Sequence, residues 1–264
     1  MRIVSLDIGS VSTKALLWED GKILAFGLTP TAWQPKEAAK EALGRVLAEN
    51  GTRPFLLAAT GYGRDLESAV AQLAESWPIE GGLKQFNEIT ALGRGLNSVL
   101  PEARLVLDVG GQDSKALALD ERGRVLDFIL NDKCAAGAGV FVDSVRQSYN
   151  LSHEEFGALA AQGKPVQLSS MCAVFAQTEL VAQIAKGVSR ADLAAGVLAS
   201  LATRLKTQCG RLFANGPVAL TGGLSRLPVF AEFLRESLGT SVVIPQDAPY
   251  LAALGAAIML NEQN

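Results

Sequence analysis

One short device occurs twice in the chain, and it limits the possible folds more than any other feature. Asp7-Ile8-Gly9-Ser10 is followed by Lys14-Ala15-Leu16, and Asp108-Val109-Gly110-Gly111 by Lys115-Ala116-Leu117, with Asp and Lys seven residues apart in both copies. Each copy has an apolar run before the Asp and an acidic turn then Gly behind it, Glu19-Asp20-Gly21 and Asp120-Glu121-Arg122-Gly123. Such a pattern predicts strand-turn-strand hairpins, and two in register predict a duplicated nucleotide clamp.

Around the hairpins the same order of elements repeats. Ile3 to Leu6, Ala15 to Trp18 and Ile23 to Phe26 read as strands, followed by a helix from Pro35 through Ala39, Leu43, Val46 and Leu47 that closes at Gly51. A strand over Phe55 to Ala59 runs into the loop Thr60-Gly61-Tyr62-Gly63-Arg64. A helix-prone segment to Trp77, a break at Gly81-Gly82 and a helix from about Glu88 to Val99 come next. The second round has strands at Leu105 to Asp108, Ala116 to Leu119 and Val125 to Leu130, then helices over most of Cys134 to Ala214. Ser152-His153-Glu154-Glu155 is a capping box, and Leu198, Leu201, Leu205 and Leu212 stripe one long helix expected to end at Asn215-Gly216-Pro217. A strand over Val218 to Leu220 enters Thr221-Gly222-Gly223, and a small-residue helix near Leu251 to Leu260 closes the chain.

A Gly- and Ser-rich hairpin turn leaves backbone N–H groups free to face phosphate oxygens, and an Asp ending the preceding strand can hold Mg2+ through water. Two such turns plus Thr221-Gly222-Gly223 after a third strand resemble the actin-like ATPase fold of sugar kinases and heat-shock chaperones. That predicts an α/β, ribonuclease H-like architecture of two similar domains around a nucleotide cleft: 1–100, completed by the C-terminal helix 250–264, and 101–249. The chain has no Gly-rich loop ending in Gly-Lys-Ser or Gly-Lys-Thr, which excludes a P-loop site, and no strand leads into a G-x-G-x-x-G helix start, which leaves a dinucleotide site unsupported. Gln112 and Asp113, directly behind the second Gly pair, are placed to orient a water at the terminal phosphate.

With 48% apolar residues and net charge -3, the 264-residue chain suits neither nucleic acid nor an anionic membrane as partner. A short apolar run ended by Asp7 and the lack of a spanning stretch predict a cytoplasmic location.

Three cysteines are thiols or metal ligands in such a setting. Cys134, in Asn131-Asp132-Lys133-Cys134-Ala135-Ala136-Gly137-Ala138-Gly139, and Cys172, in Ser169-Ser170-Met171-Cys172-Ala173-Val174-Phe175, are each expected between a strand and a helix, at the helix start. There helix N–H groups lower a thiol pKa and favour negative charge. Two cysteines are half of the four thiolates a cubane iron-sulfur cluster takes, so a symmetric dimer sharing one cluster fits; a four-thiolate Zn2+ site fits the same count. Cys209 falls near the leucine stripe and reads as core, and His153, the only histidine, as a surface residue.

Through Asp7-Ile8-Gly9-Ser10, Thr60 to Arg64, Asp108 to Asp113, Asn131 to Gly139, Ser169 to Glu179 and Thr221-Gly222-Gly223, nearly the full chain resembles the BadF/BadG/BcrA/BcrD-type ATPases. These are the iron-sulfur activators of 2-hydroxyacyl-CoA dehydratases and the ATPase subunits of benzoyl-CoA reductases. The resemblance implies an ATPase of anaerobic metabolism with one 4Fe-4S cluster shared by a homodimer through Cys134 and Cys172. It implies a nucleotide site for ATP or ADP with Mg2+ over Gly9, Ser10, Val11, Ser12, Thr13, Lys14, Gly110, Gly111, Gln112, Thr221, Gly222 and Gly223, with Asp7, Asp108, Gln112 and Asp113 acting on the phosphates. Electrons would come from a donor such as ferredoxin or flavodoxin and go to an iron-sulfur dehydratase or reductase component. The family usually carries Cys-His where this chain has Ala91-Leu92, Thr at Ala138, and Glu-Ser-Glu at Gln177-Thr178-Glu179. These departures also admit a different double-cluster reductase as the partner. On this reading ATP closes the two domains and the helices begun at Cys134 and Cys172 shift at the cluster. An amino-sugar kinase of the same fold, with Asp108 or Asp113 as base, and a nucleotide-regulated binding module are the alternatives.

Overall fold

The computed structural model describes residues 1–51, 53–65, 73, 75–133, 139–168, 173–212 and 216–264, and of 173–177 the backbone alone. The chain divides into two compact units. The first comprises Met1–Pro101, Leu119–Val125 and Tyr250–Asn264, the second Glu102–Ala118 and Leu126–Pro249.

In the first unit β1 (Arg2–Ile8), β2 (Ser12–Glu19), β3 (Lys22–Pro30), β4 (Phe55–Thr60) and β5 (Ile79–Gln85) form a sheet in the order β3-β2-β1-β4-β5. Strand β1 is buried on both faces, as its unbroken run of buried residues requires of a central strand. The β2–β3 turn works because Asp20 and Gly21 both take positive φ, 49° and 84°, the two-residue geometry that matches strand twist. Helix α1 (Pro35–Leu47) starts on a proline and buries Ala39, Leu43 and Val46 against Val4, Leu6 and Leu57. Helix α2 (Glu88–Val99) is capped by Asn87, whose side chain accepts from the Ile89 and Thr90 N–H groups. It packs on α8 (Leu251–Asn261), the small-residue helix expected at the chain end. Ala91 and Leu92 are both buried on α2.

Two expectations change here. Gly81-Gly82 is no break: both glycines, at φ 66° and 74°, sit inside edge strand β5, whose pairing with β4 shifts register between Leu56 and Leu57. Glycine in a strand marks a bulge as readily as an ending. The turn 119–125 groups with the first unit because the backbones of α2 and the turn touch, a Cβ at Gly93 falling 2.7 Å from the Gly123 carbonyl oxygen. Most of the helix-prone segment before Trp77 lies outside the described residues.

In the second unit β6 (Leu105–Val109), β7 (Ser114–Leu119, all but its last residue), β8 (Val125–Asn131, from its second residue), β9 (Val218–Thr221) and β10 (Val242–Val243) follow the order β10-β9-β6-β7-β8. Its helices are α3 (Gly139–Ser148), α4 (His153–Gln162), α5 (Ala173–Ala185), α6 (Arg190–Cys209) and α7 (Pro228–Leu238). Leu193, Val197, Leu198, Leu201 and Leu205 of α6 pack with Leu105, Leu107 and Val109 of β6 and with Phe141, Phe156 and Phe230. Burying such a side chain is worth about 1.5–3 kcal/mol. The capping box on α4 forms in both directions between Ser152 and Glu155.

The leucine-striped helix stops earlier than expected, at Cys209 with Gly210 as its cap, and Leu212 reaches the core from beyond the helix end. Cys209 is fully buried in that core, as its position on the stripe predicts, and burial pushes its thiol pKa up. Among the described residues no helix is long and apolar enough to cross a membrane.

Candidate functional site: two phosphate hairpins and the helix behind one of them

Strand pairing places the repeated residues. In the first unit Asp7 lies opposite Lys14 across the antiparallel β1–β2 pair, and Lys14 Nζ is 3.1 Å from Asp7 Oδ2. In the second, Asp108 lies opposite Lys115 across β6–β7, with Nζ 3.6 Å from Asp108 Oδ2 and 2.6 Å from Asp113 Oδ2. Both turns close by the same bond, Gly9 N–H to Ser12 O at 3.1 Å and Gly110 N–H to Asp113 O at 2.9 Å. Ser10 and Val11 are exposed at the first turn and Gln112 at the second, with Gly9, Gly110, Gly111 and Ser12 half-buried. Thr13 is buried, its hydroxyl 2.9 Å from that of Thr31, so its side chain joins β2 to the loop after β3.

The repeat extends further than the hairpins. Asp7 pairs in parallel with Thr60 and Asp108 with Thr221, so a Thr-Gly follows the neighbouring strand in each unit. The glycines after them, Gly61 at φ 90° and Gly222 at φ 78°, have the left-handed backbone that favours glycine. A Cβ at Gly61 would stand 2.6 Å from Asp7 Oδ1, and one at Gly222 would stand 2.5 Å from Val109 O. Gly223 then opens a 3-10 turn, Gly223–Arg226, braced by the Ser225 hydroxyl donating to Gly222 O at 2.7 Å.

The two copies differ at the carboxylate. Thr221 donates its hydroxyl to Asp108 Oδ1 at 2.7 Å, whereas Thr60 donates to Phe86 O at 3.1 Å. Asp7 Oδ1 is therefore buried with no hydrogen-bond partner, on a residue only 5% exposed, beside the space that Gly61 leaves open. A buried anionic oxygen without a partner is costly, and a hydrated cation satisfies it. Asp113 is drawn to Lys115, and a Cβ at Gly110 would fall 2.5 Å from its Oδ1, so glycine at that position admits the carboxylate.

Behind the second hairpin stands α3. Its first two amides donate into the turn, Gly139 N–H to Gly110 O at 2.8 Å and Val140 N–H to Gly111 O at 2.7 Å. Those are amides that a helix start leaves without intrahelical partners. On the other arm Ser114 Oγ and Gln208 Oε1 are 3.0 Å apart while Gln208 Nε2 donates to Ser114 O at 3.1 Å, which ties β7 to α6. Sequence reading missed Gly139, Val140 and Gln208, since bonds across 29 and 94 residues leave no local pattern.

Cys134 and Cys172 lie outside the described residues. Next to them, α5 begins at Ala173 and α3 at Gly139. Among the described residues no three His, Cys, Asp or Glu side chains gather as metal ligands.

His153 departs from expectation. It is half-buried, with Nε2 3.2 Å from Asp143 Oδ1, and the same oxygen accepts from Arg146 Nε at 2.9 Å, so it links α4 to α3. Burial holds its pKa below the ordinary value; Asp143 pulls the other way, and Arg146 and Arg226 add to the lowering. Below about pH 6.5 the unfolded chain therefore protonates first and stability falls with pH. His153→Gln should flatten the loss of urea stability between pH 7 and pH 5. An unchanged slope would show that His153 contributes none of it.

The two Asp-Lys hairpins, each with a Thr-Gly after the adjacent strand, define an actin-like ATPase fold, which a ROK family glucokinase from Streptomyces griseus shares at 14% identity and TM-score 0.59 over 98% of this chain and 99% of that one. The chain belongs to the BadF/BadG/BcrA/BcrD ATPase family, whose profile matches residues 4–259. It is 36% identical to the uncharacterised protein YjiL of Escherichia coli K12 over 97% of this chain and 95% of that one. It is 30% identical to the 2-hydroxyisocaproyl-CoA dehydratase activator of Clostridioides difficile over 98% and 94% of the two chains. The solved structure of a Clostridium difficile activator of that dehydratase, with bound ADPNP, superposes with a TM-score of 0.84 at 29% identity, covering 100% of this chain and 95% of that one.

Proposed function

We propose that this protein is an ATP-hydrolysing iron-sulfur activator that passes a low-potential electron to a partner iron-sulfur protein, a 2-hydroxyacyl-CoA dehydratase or a related double-cluster reductase. The single observation that carries the reading is the pair of bonds from Gly139 and Val140 to the carbonyls of Gly110 and Gly111. They join the second Gly-rich turn to the helix that begins five residues after Cys134, so a change at a phosphate on that turn bears on α3 directly. Hydrolysis can then be spent on a conformational change.

Each residue has a role in this reading. Gly9, Ser10 and Val11 offer amides to phosphate at the first turn, and Gly110, Gly111 and Gln112 at the second. Asp7, with its unpartnered oxygen, takes the hydrated Mg2+. Asp108, already held by Thr221 and Lys115, fixes the second turn, while Gln112 orients the attacking water. Ser12, Thr13 and Lys14 hold the first turn in shape; Thr221, Gly222 and Gly223 complete the nucleotide site of the second unit. Cys134 and Cys172 bind a 4Fe-4S cluster shared with a second copy, since Cys209 is sealed in the core. The start of α5 directly after Cys172 in the sequence suits an anionic cluster. When bound, that cluster supplies one-electron chemistry, fed by a donor such as a ferredoxin or flavodoxin.

Anoxic purification with iron and acid-labile sulfide analysis tests it. About four irons per two chains are expected, lost in Cys134→Ala or Cys172→Ala with the fold retained. A metal-free protein that phosphorylates a sugar would contradict the reading.

A further inference from the structure

The residue before the lysine carries a hydroxyl in both repeats, Thr13 ahead of Lys14 and Ser114 ahead of Lys115, and both are fully buried. Each is held by a side chain from outside its hairpin. The Thr13 hydroxyl meets that of Thr31 at 2.9 Å. Ser114 is gripped at two points by Gln208: its hydroxyl donates to Gln208 Oε1 at 3.0 Å, and Gln208 Nε2 donates to its carbonyl oxygen at 3.1 Å. A backbone carbonyl can only accept, which puts the amide nitrogen on that side and leaves the amide oxygen for the hydroxyl proton. Gln208 stands in the last turn of α6 between Leu205, 1% exposed, and Cys209, fully buried, so the helix end that carries it is part of the core.

The stretch this grip fixes is the one that ends at Ser114. Gly110 N–H bonds Asp113 O at 2.9 Å, Ser114 pairs with Val109 across β6–β7, and Asp113 Oδ2 lies 2.6 Å from Lys115 Nζ. Gln112 therefore sits between anchored residues, and because it is exposed at the turn, its placement comes from the backbone beneath it. We propose that Gln208 is a positioning residue for ATP hydrolysis: through Ser114 it sets the backbone from which Gln112 meets the attacking water. The inference rests on the ATPase reading above and extends it to a side chain 94 residues beyond Ser114. The carbonyls of Gly110 and Gly111 are held separately by α3, so nucleotide affinity depends little on Gln208. Its effect falls on the transition state, where a misplacement of about 1 Å in an orienting group can cost about a hundredfold in rate.

The test is steady-state Mg-ATP hydrolysis by the anoxically purified protein, on variants that circular dichroism shows to be folded. In Gln208→Met, which keeps the side-chain length and loses both bonds, kcat and kcat/KM should fall together by about tenfold or more, with KM within about threefold of wild type. Ser114→Ala removes the hydroxyl alone and should lower kcat by less, and the double variant should be no slower than Gln208→Met, because the two residues act as one unit. Gln208→Glu supplies a readout that a tie of sheet to helix would not move. Ionised, its carboxylate faces the Ser114 carbonyl with no proton to donate; protonated, it restores both bonds, so its rate relative to wild type should climb as the pH falls. Unchanged kcat in Gln208→Met, or a raised KM at unchanged kcat, would overturn the inference and leave Gln208 as a tie between β7 and α6. Should Gln208→Met not fold, Ser114→Ala and Gln208→Glu decide on the same terms. A wild type that binds Mg-ATP without hydrolysing it would overturn the ATPase reading as well.

Discussion

Gly255→Ala should lower the thermal midpoint by roughly 8–16 °C, the equivalent of about 4 kcal/mol. In an exposed helix the same change would stabilise by about 1 kcal/mol, because alanine is the better helix former. Here the sign reverses. A Cβ on Gly255 would lie inside the contact distance of the Ala91 carbonyl oxygen, 2.6 Å from the Ala91 carbonyl carbon and 2.8 Å from the Gly95 nitrogen. Gly95 meets Leu251 in the same way from the other helix. Two backbones in contact have no flexible side chain that could yield, so α2 and α8 must separate and leave Ala91, Leu96, Ala252 and Ala256 short of partners. Calorimetry decides it: a midpoint equal to or above wild type would mean the helices cross elsewhere. The same packing explains Ala91-Leu92 physically, since both are buried core of α2.

The second large effect is on catalysis. Asp7→Asn keeps the side-chain shape but removes the charge beside Lys14, and ATP hydrolysis with Mg2+ should fall about a hundredfold or more. The reasoning is the asymmetry between the repeats: Asp108 Oδ1 is bonded to Thr221, and Asp7 Oδ1 has no such partner. Breaking a buried ion pair also costs about 3–5 kcal/mol, so the rate is measured well below the variant's own unfolding midpoint. A rate within threefold of wild type on folded protein would move the metal away from Asp7. Thr221→Val supplies the comparison, because it creates at Asp108 the unpartnered oxygen that Asp7 already has.

The hairpins were legible in the sequence because β pairing fixes them: an antiparallel strand pair with a short turn puts Asp7 opposite Lys14 and Asp108 opposite Lys115. The Thr-Gly extension was present as Thr60-Gly61 and Thr221-Gly222 but hidden, since parallel pairing joins segments 53 and 113 residues apart. Strand β5 was lost to Gly81-Gly82, where a bulge looks like a stop. Helix α7 and strand β10 were passed over although Pro228 at the helix start and Gly239 in the left-handed conformation at its end bracket the helix. His153 read as surface because a capped first turn usually faces water; its contact with Asp143 depends on how α3 and α4 pack. The bonds from α3 into the Gly110-Gly111 turn, on which the functional account rests, involve backbone atoms alone and carry no residue-type signal.

That link is open to direct measurement. Iron extraction from the anoxic protein by a colorimetric chelator can be timed in Mg-ADP and in a non-hydrolysable Mg-ATP analogue. If phosphate at Gly110-Gly111 acts on a cluster at Cys134 through Gly139 and Val140, the two rates should differ by at least about fivefold, the scale of an ordinary coupling energy. Equal rates in a protein that binds both nucleotides would contradict it.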